Sequence, residues 1–445
     1  MLRISCTLLI LLLSITLQFI TALNNDVHVI WYAPFASGGG YSSEAFDFLL
    51  GLDYEFSHLQ IVHFADEYKT DFIKSLPVEY STLFRNHSRV SLNPSKSVVI
   101  CHSEPGTWHP SLYITSQCPP HGSMYTIGRT MFETDRLPSG WSDRCNKMDE
   151  IWVPSLFARS VFVKAGVLDS KIQVIGEPIN SNRYSSAWSM SRDSSLRHSI
   201  MSQILSSSIH PLLLTANDIM NSVIFLSVFK FEDRKGWREL LTSFCIEFRQ
   251  DVDKNKPVVL VIVTNSYHGS NYMSLLMSHW TGLSCSSVIV SVLPHQASLL
   301  SLYSASSCFV LLSHGEGWCR PMVEAMASGL PVIGTYWSGM TEYMNENNSY
   351  PVDVESLVPV EGSVAMHFPG HMWAKPNLTT AQIHMRRVYD DMDVDWRRRS
   401  PHDKGVQARM DMTEKWDVKV LSSIVERRLS VIWEKLKGGD VHDDL

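Results

Sequence analysis

The chain has 445 residues, enough for two domains with separate cores, and its 44% apolar and 19% charged residues belong to a folded globular protein rather than a disordered one. A net charge of −7, with no basic block beyond Arg397-Arg398-Arg399, excludes the electrostatic footprint of a nucleic-acid binder. That triplet reads as a solvated charge run.

Taken in chain order, residues 1–23 carry Arg3 and an apolar run from Leu8 to Leu23, broken only by Ser14, Thr16, Gln18 and Thr21, with Ala22 as a cleavage point. This is the pattern of a signal peptide. A signal-anchor is the alternative, and it would associate the chain with a membrane. Either places the rest of the chain in the secretory lumen, in the endoplasmic reticulum or Golgi, or secreted. The sequons at Asn86, Asn347 and Asn377 fit that placement. Beyond the leader stand Cys101, Cys118, Cys145, Cys245, Cys285, Cys308 and Cys319, an odd number without a C-x-x-C, which argues against zinc and leaves at least one thiol unpaired. Cys101, Cys118 and Cys145 are close enough in sequence to be disulfide candidates; their connectivity is open.

Short apolar runs at Val27–Tyr32, Ser97–Cys101, Ile151–Pro154 and Ile172–Ile175 alternate with helical stretches such as Tyr41–Leu52 and Leu156–Ala165. After a serine-rich stretch the alternation resumes, with strands at Val223–Val228, Val258–Val263, Ser287–Val292, Phe309–Leu312 and Pro331–Ile333. Helices are expected between them at Gly236–Arg249, Ser270–His279, Ala297–Ser306 and Pro321–Ser328. Alternating β and α units imply parallel, doubly wound sheets, so the fold class is α/β with two Rossmann-like domains and a C-terminal helix. The expected division is an N-terminal Rossmann-like domain over 24–183, a serine-rich linker over 184–215, a C-terminal Rossmann-like domain over 216–358, and a helical appendage with a closing helix over 359–445. The closing helix, Val418 to Lys437, lines up Val418, Leu421, Ile424, Val425, Leu429, Ile432 and Leu436 on one stripe that must pack against something.

The segment Ser313 to Gly339, SHGEGWCRPMVEAMASGLPVIGTYWSG, concentrates the chemistry. A strand ends at Ser313, a glycine loop follows, and Pro321 opens a helix that Gly329 stops. Free N–H groups at that helix start suit a phosphate, and Gly315 and Gly317 would let a ligand approach the backbone. Glu316 and Glu324 can accept hydrogen bonds from sugar and ribose hydroxyls at two depths. Upstream, SVFKFEDRKGWRELLTSF (Ser227 to Phe244) puts Lys230 and Lys235 at a strand's carboxyl end, where each cation aimed at a diphosphate is worth roughly 3 kcal/mol.

Here the sequence resembles retaining glycosyltransferases of the GT-B type, glycosyl transferase group 1 or family four, whose signature is this E-x7-E segment. The resemblance implies transfer of a hexose from a nucleoside diphosphate sugar to a hydroxyl of a glycan, lipid or protein acceptor, with retention and with no cofactor or metal. It assigns the donor sugar to Glu316, the ribose to Glu324 and the diphosphate to Lys230 and Lys235. Two positions depart from the family: Cys319 stands where glycine is usual and Lys230 where arginine is usual, and lysine is less suited to bidentate phosphate contact. In the N-terminal half GGGYSSEA, CHSEPGTW and IGRTMFETDRLPSGW resemble the same family. Gly39 lies in a turn that could accept a phosphate. His102 and Glu104, and likewise Glu133 and Asp135, would face the cleft, His102 first and Glu133 second as the group on the reacting sugar. The D-x-D pairs at Asp251/Asp253 and Asp391/Asp393/Asp395 are not at usable strand ends. The alternatives are a lumenal sugar-binding protein that kept the fold without turnover and, third, a sugar phosphorylase on the same fold.

Overall fold

The computed structural model describes residues 27–53, 56, 58–190, 199–200, 202, 222–249, 257–265, 272–283, 288–291, 296–361, 368–392 and 404–438. The expected leader, most of the serine-rich linker, Arg397-Arg398-Arg399, Asp251, Asp253, Asp393 and Asp395 lie outside these residues. Among the described residues no helix is long and apolar enough to cross a membrane.

In the first half, β1 (His28–Ala33), α1 (Gly40–Leu52), β2 (His58–His63), α2 (Thr70–Ser75), α3 (Val78–His87), β3 (Val98–His102), β4 (Tyr125–Arg129), α4 (Trp141–Lys147), β5 (Glu150–Val153), α5 (Leu156–Lys164) and β6 (Ile172–Val174) build a parallel sheet of order β2-β1-β3-β4-β5-β6. After α6 (Ser181–Met190) come β7 (Val223–Lys230), α7 (Trp237–Glu247), β8 (Val258–Asn265), α8 (Tyr272–Leu283), β9 (Val288–Ser291), α9 (Gln296–Ala305), β10 (Cys308–Leu311), α10 (Arg320–Ala327), β11 (Val332–Thr335) and β12 (Tyr350–Val352). Their sheet has the order β12-β11-β10-β7-β8-β9 and is again parallel. Strands covered by helices on both faces read as unbroken apolar runs, and β3 is buried at every position. Each sheet reverses its winding once, between β1 and β3 in the first and between β7 and β10 in the second. Ligands of open parallel sheets bind outside the carboxyl ends of strands at such switch points.

The C-terminal segment is integrated rather than appended. A hairpin of β13 (Val354–Pro359) and β14 (Met372–Pro376) leads to α11 (Leu378–Asp391), which packs on α7, and to α12 (Lys404–Lys415), which packs on α10. The last helix, α13 (Val418–Leu436), then returns to the first half, where its stripe of Val418, Leu421, Val425, Leu429 and Ile432 closes the core against α1. Asp417 caps α13 by accepting from the Lys419 N–H, and Arg428 clamps it to β5 through Glu150 at 2.7 Å. Tyr184, expected at the start of the linker, lies instead inside α6, with its buried ring 6.4 Å from that of Tyr303.

A disulfide joins Cys101 to Cys118, and Cys145, the third candidate, is a buried free thiol. Of the sequons, Asn86 and Asn347 are exposed, whereas Asn377 caps α11 by accepting from the Thr380 N–H.

Candidate functional site

The two motif loops of the second sheet are pressed together by backbone contacts. The turn between β7 and α7 passes so close to the end of β10 that a Cβ on Gly236, which has φ +62°, would lie 1.8 Å from the Leu312 carbonyl oxygen. Only glycine fits there. The His314 N–H then donates to the Arg234 carbonyl at 2.7 Å, fastening one loop to the other. A third loop holds Glu316: its N–H donates to Ser338 Oγ at 2.8 Å, and the Gly339 N–H donates to its carbonyl at 2.9 Å.

This scaffold brings Lys235 Nζ to 2.8 Å and 2.9 Å from the two Glu316 carboxylate oxygens, with Arg234 Nη1 at 3.1 Å from one of them. Burial would push the Glu316 carboxyl up, but Lys235 and Arg234 outweigh it and hold the carboxyl below its ordinary range. Arg234 also donates to the Gly315 carbonyl at 2.7 Å, pairs with Glu232 at 2.8 Å, and reaches Glu133 of the first half at 3.3 Å. Glu133 is drawn the other way: burial raises its pKa, and the Arg234 charge only partly offsets that. Lys230 is shifted down, by burial first and by the neighbouring Lys235 charge second, as expected where positive potential is concentrated.

These side chains line one cavity of about 520 Å³ between the two halves, with Gly39, Glu104, Glu133, Lys230, Lys235, Glu316, Gly317 and Glu324 in its wall. Gly39 precedes α1, and a Cβ placed on it would stand 3.8 Å from Lys230 Nζ, so the β1–α1 turn and the end of β7 meet across the cleft. Glu324, one turn into α10, accepts from Tyr303 Oη at 2.9 Å; burial raises its pKa, with Arg320 opposing. The start of α10 is as the proline predicts, and the residue before it, Cys319, takes φ +75° and ψ 73°. Glycine would take that left-handed conformation without strain, whereas the Cys319 side chain makes it costly.

Three expectations need correction. His102 does not face the cleft: it is fully buried, its Nε2 3.0 Å from Glu44 and its Nδ1 accepting from Trp31 Nε1 at 3.2 Å. Glu44 in turn pairs with Arg129 at 2.6 Å, so His102 belongs to a sealed structural cluster. Asp135 is also diverted, since it accepts from the Met372 N–H at 2.7 Å and pairs with Arg136, tying the first half to the β13–β14 hairpin. Gly315 is absent from the cavity wall, and its lack of a side chain serves domain contact: a Cβ there would lie 2.3 Å from the Glu133 carbonyl oxygen. Gly317 does line the cavity, yet a Cβ on it would strike Met131 of the first half at 2.4 Å.

Sequence reasoning missed Arg234 and Arg320. Arg234 sits beside Lys235 in the D-R-K-G turn, and that adjacency was the available signal. Arg320 opens α10 and reaches Asp47 of α1, with Glu177 at 3.9 Å, which links the motif helix to the first sheet. Among the described residues no group of His, Cys, Asp and Glu is placed to hold a metal ion.

Two parallel, doubly wound sheets with a cavity of charged residues between the two halves define a GT-B fold. The family model described as Glycosyl transferases group 1 matches residues 221–363, the span that contains Lys230, Lys235, Glu316 and Glu324. No curated protein matches the chain. Among solved structures the chain is similar to Alr3699/HepE of Anabaena in complex with UDP and glucose, with TM-score 0.61 and 14% identity over 91% of this chain and 99% of that one. It is similar as well to the sucrose-phosphate synthase tll1590 of Thermosynechococcus elongatus, with TM-score 0.57 and 13% identity over 93% and 99% of the two chains. A glycosyltransferase from Rickettsia africae ESF-5 gives TM-score 0.56 and 13% identity over 94% and 100%.

Proposed function

We propose that this chain transfers a hexose from a nucleoside diphosphate sugar to a hydroxyl acceptor with retention of configuration. The observation that carries the reading is the pairing of Arg234 and Lys235 with Glu316 at the β7/β10 switch point, with Lys230 in the wall of the same cavity, which is large enough for a nucleotide sugar. Lys230 and Lys235 hold the diphosphate and stabilise the charge that grows on it as the bond to the anomeric carbon lengthens. Glu316 accepts from donor-sugar hydroxyls, and Glu324 takes the ribose. Glu133, reached by Arg234, is the carboxylate of the first half nearest to this array. The match of residues 221–363 to glycosyl transferases group 1 and the UDP-bound relatives of similar fold support the assignment. A lumenal location is part of the proposal, supported by the Cys101–Cys118 disulfide, since such bonds persist in oxidising compartments.

The test is turnover by the purified protein with UDP- and GDP-hexoses, followed as release of the nucleoside diphosphate. Glu316→Ala is expected to lower release about 100-fold. Undiminished turnover in that variant would remove Glu316 from the donor site.

A further inference from the structure

Glu324, the carboxylate proposed to take the ribose, is held from behind by two phenols that reach it from different helices. Tyr303 of α9 donates to its Oε2 at 2.9 Å, and Tyr184 of α6 donates to the same carboxylate. Both tyrosines are buried, with ring centres 6.4 Å apart, and neither belongs to the wall of the large cavity that Glu324 lines. Burial first and the Glu324 charge second push both phenols well above their ordinary pKa, so each keeps its proton for the bond it donates. Arg320, on the same helix as Glu324, is engaged by Asp47 of the first half.

Resting on the assignment of the ribose to Glu324, we propose that Tyr184 and Tyr303 are positioning residues, which fix this carboxylate toward the cavity and so make the donor site selective for nucleotides with both ribose hydroxyls. A carboxylate offers about four acceptor positions. The phenols occupy two of them from outside the cavity, and the others are left for the vicinal 2′ and 3′ hydroxyls. Neither phenol touches the donor; each acts through Glu324. The same bonds bear on its charge, because burial pushes the Glu324 carboxyl up while Arg320 and the two phenols oppose that rise. A protonated carboxyl gives up part of its acceptor capacity. Removing one phenol therefore frees the carboxylate to rotate and moves its pKa further up, so that binding of the nucleotide fails at a higher pH on acidification.

The experiment measures binding of UDP and 2′,3′-dideoxy-UDP, and of the corresponding guanosine pair, to the full chain by calorimetry from mildly acidic to neutral pH. The wild type is expected to bind one ribonucleotide about tenfold or more tightly than its dideoxy analogue. Tyr303→Phe keeps the ring in the core and removes one bond to the carboxylate. It is expected to bring that preference below about threefold and to shift the acid limit of binding to higher pH. Tyr184→Phe should act in the same direction. A merely structural defect would weaken both nucleotides alike and leave their ratio in place. An unchanged ratio in Tyr303→Phe thus overturns this inference alone, whether or not overall affinity falls, and if that variant does not fold, Tyr184→Phe decides in the same way. A wild type without the preference, or a Glu324→Gln variant that keeps it, overturns the ribose assignment, and the role of the tyrosines falls with it.

Discussion

The carboxyl ends of the two sheets both carry charged side chains and use them in opposite ways. At the first, Glu44 and Arg129 neutralise one another and His102 bonds to the same carboxylate, all with no exposure to solvent. At the second, Lys230, Arg234, Lys235 and Glu316 line a cavity, and Lys230 is held below its ordinary pKa by burial and by Lys235. Topology puts polar residues at both edges; whether they become a clamp or a site depends on what each side chain finds within about 3 Å. His102, the last residue of β3, points at Glu44 and is satisfied inside the protein.

Substitutions at the two edges should therefore separate stability from activity. The largest effect is expected at the sealed edge. Glu44→Gln leaves Arg129 buried without its counter-charge and should cost about 3–5 kcal/mol in chemical denaturation. Burial alone would raise the Glu44 carboxyl, but Arg129 and His102 bring it down to about 2. Its stabilising contribution is thus fully present above the ordinary 4.5 and is lost as pH falls toward 2, so acid unfolding should begin at higher pH in Glu44→Gln than in wild type. A variant with wild-type stability and strongly reduced turnover would reverse the roles of the edges.

Lys235→Ala comes next. It should reduce nucleoside diphosphate release by about 100- to 1000-fold at saturating acceptor, because one preorganised cation on the leaving group is lost. Lys230→Arg sharpens the comparison at smaller scale. A guanidinium can hold a diphosphate in two-point fashion, so donor KM should change less than about tenfold, and downward. The smallest effect is expected for Cys319→Gly, which relieves a left-handed residue and should raise stability by about 1 kcal/mol in the same denaturation assay.

Much of this fold is legible because central parallel strands are buried on both faces and show as apolar runs; β3, β7 and β8 stand out for that reason. The edge strand β2, HLQIVH, and β4, YTIGR, are no shorter than β3 but are partly exposed, so polar residues break their apolar pattern. In the site, Lys235 and Glu316 were visible because each belongs to a local strand–turn–helix motif. The Arg234–Glu133 pair and the Arg320–Asp47 pair were not, because each joins the two halves and exists only after they dock. The sequence marks Gly315 and Gly317 as close-approach positions, and in the fold what approaches them is Glu133 and Met131 of this chain.

The most direct measurement is thermal unfolding of wild type and Lys235→Ala with and without saturating UDP-glucose or GDP-mannose. A ligand stabilises the state it binds, so at least one nucleotide sugar should raise the wild-type midpoint, and Lys235→Ala should abolish that rise. No shift with either nucleotide, or an equal shift in the variant, would contradict the placement of the diphosphate at the carboxyl edge of the second sheet.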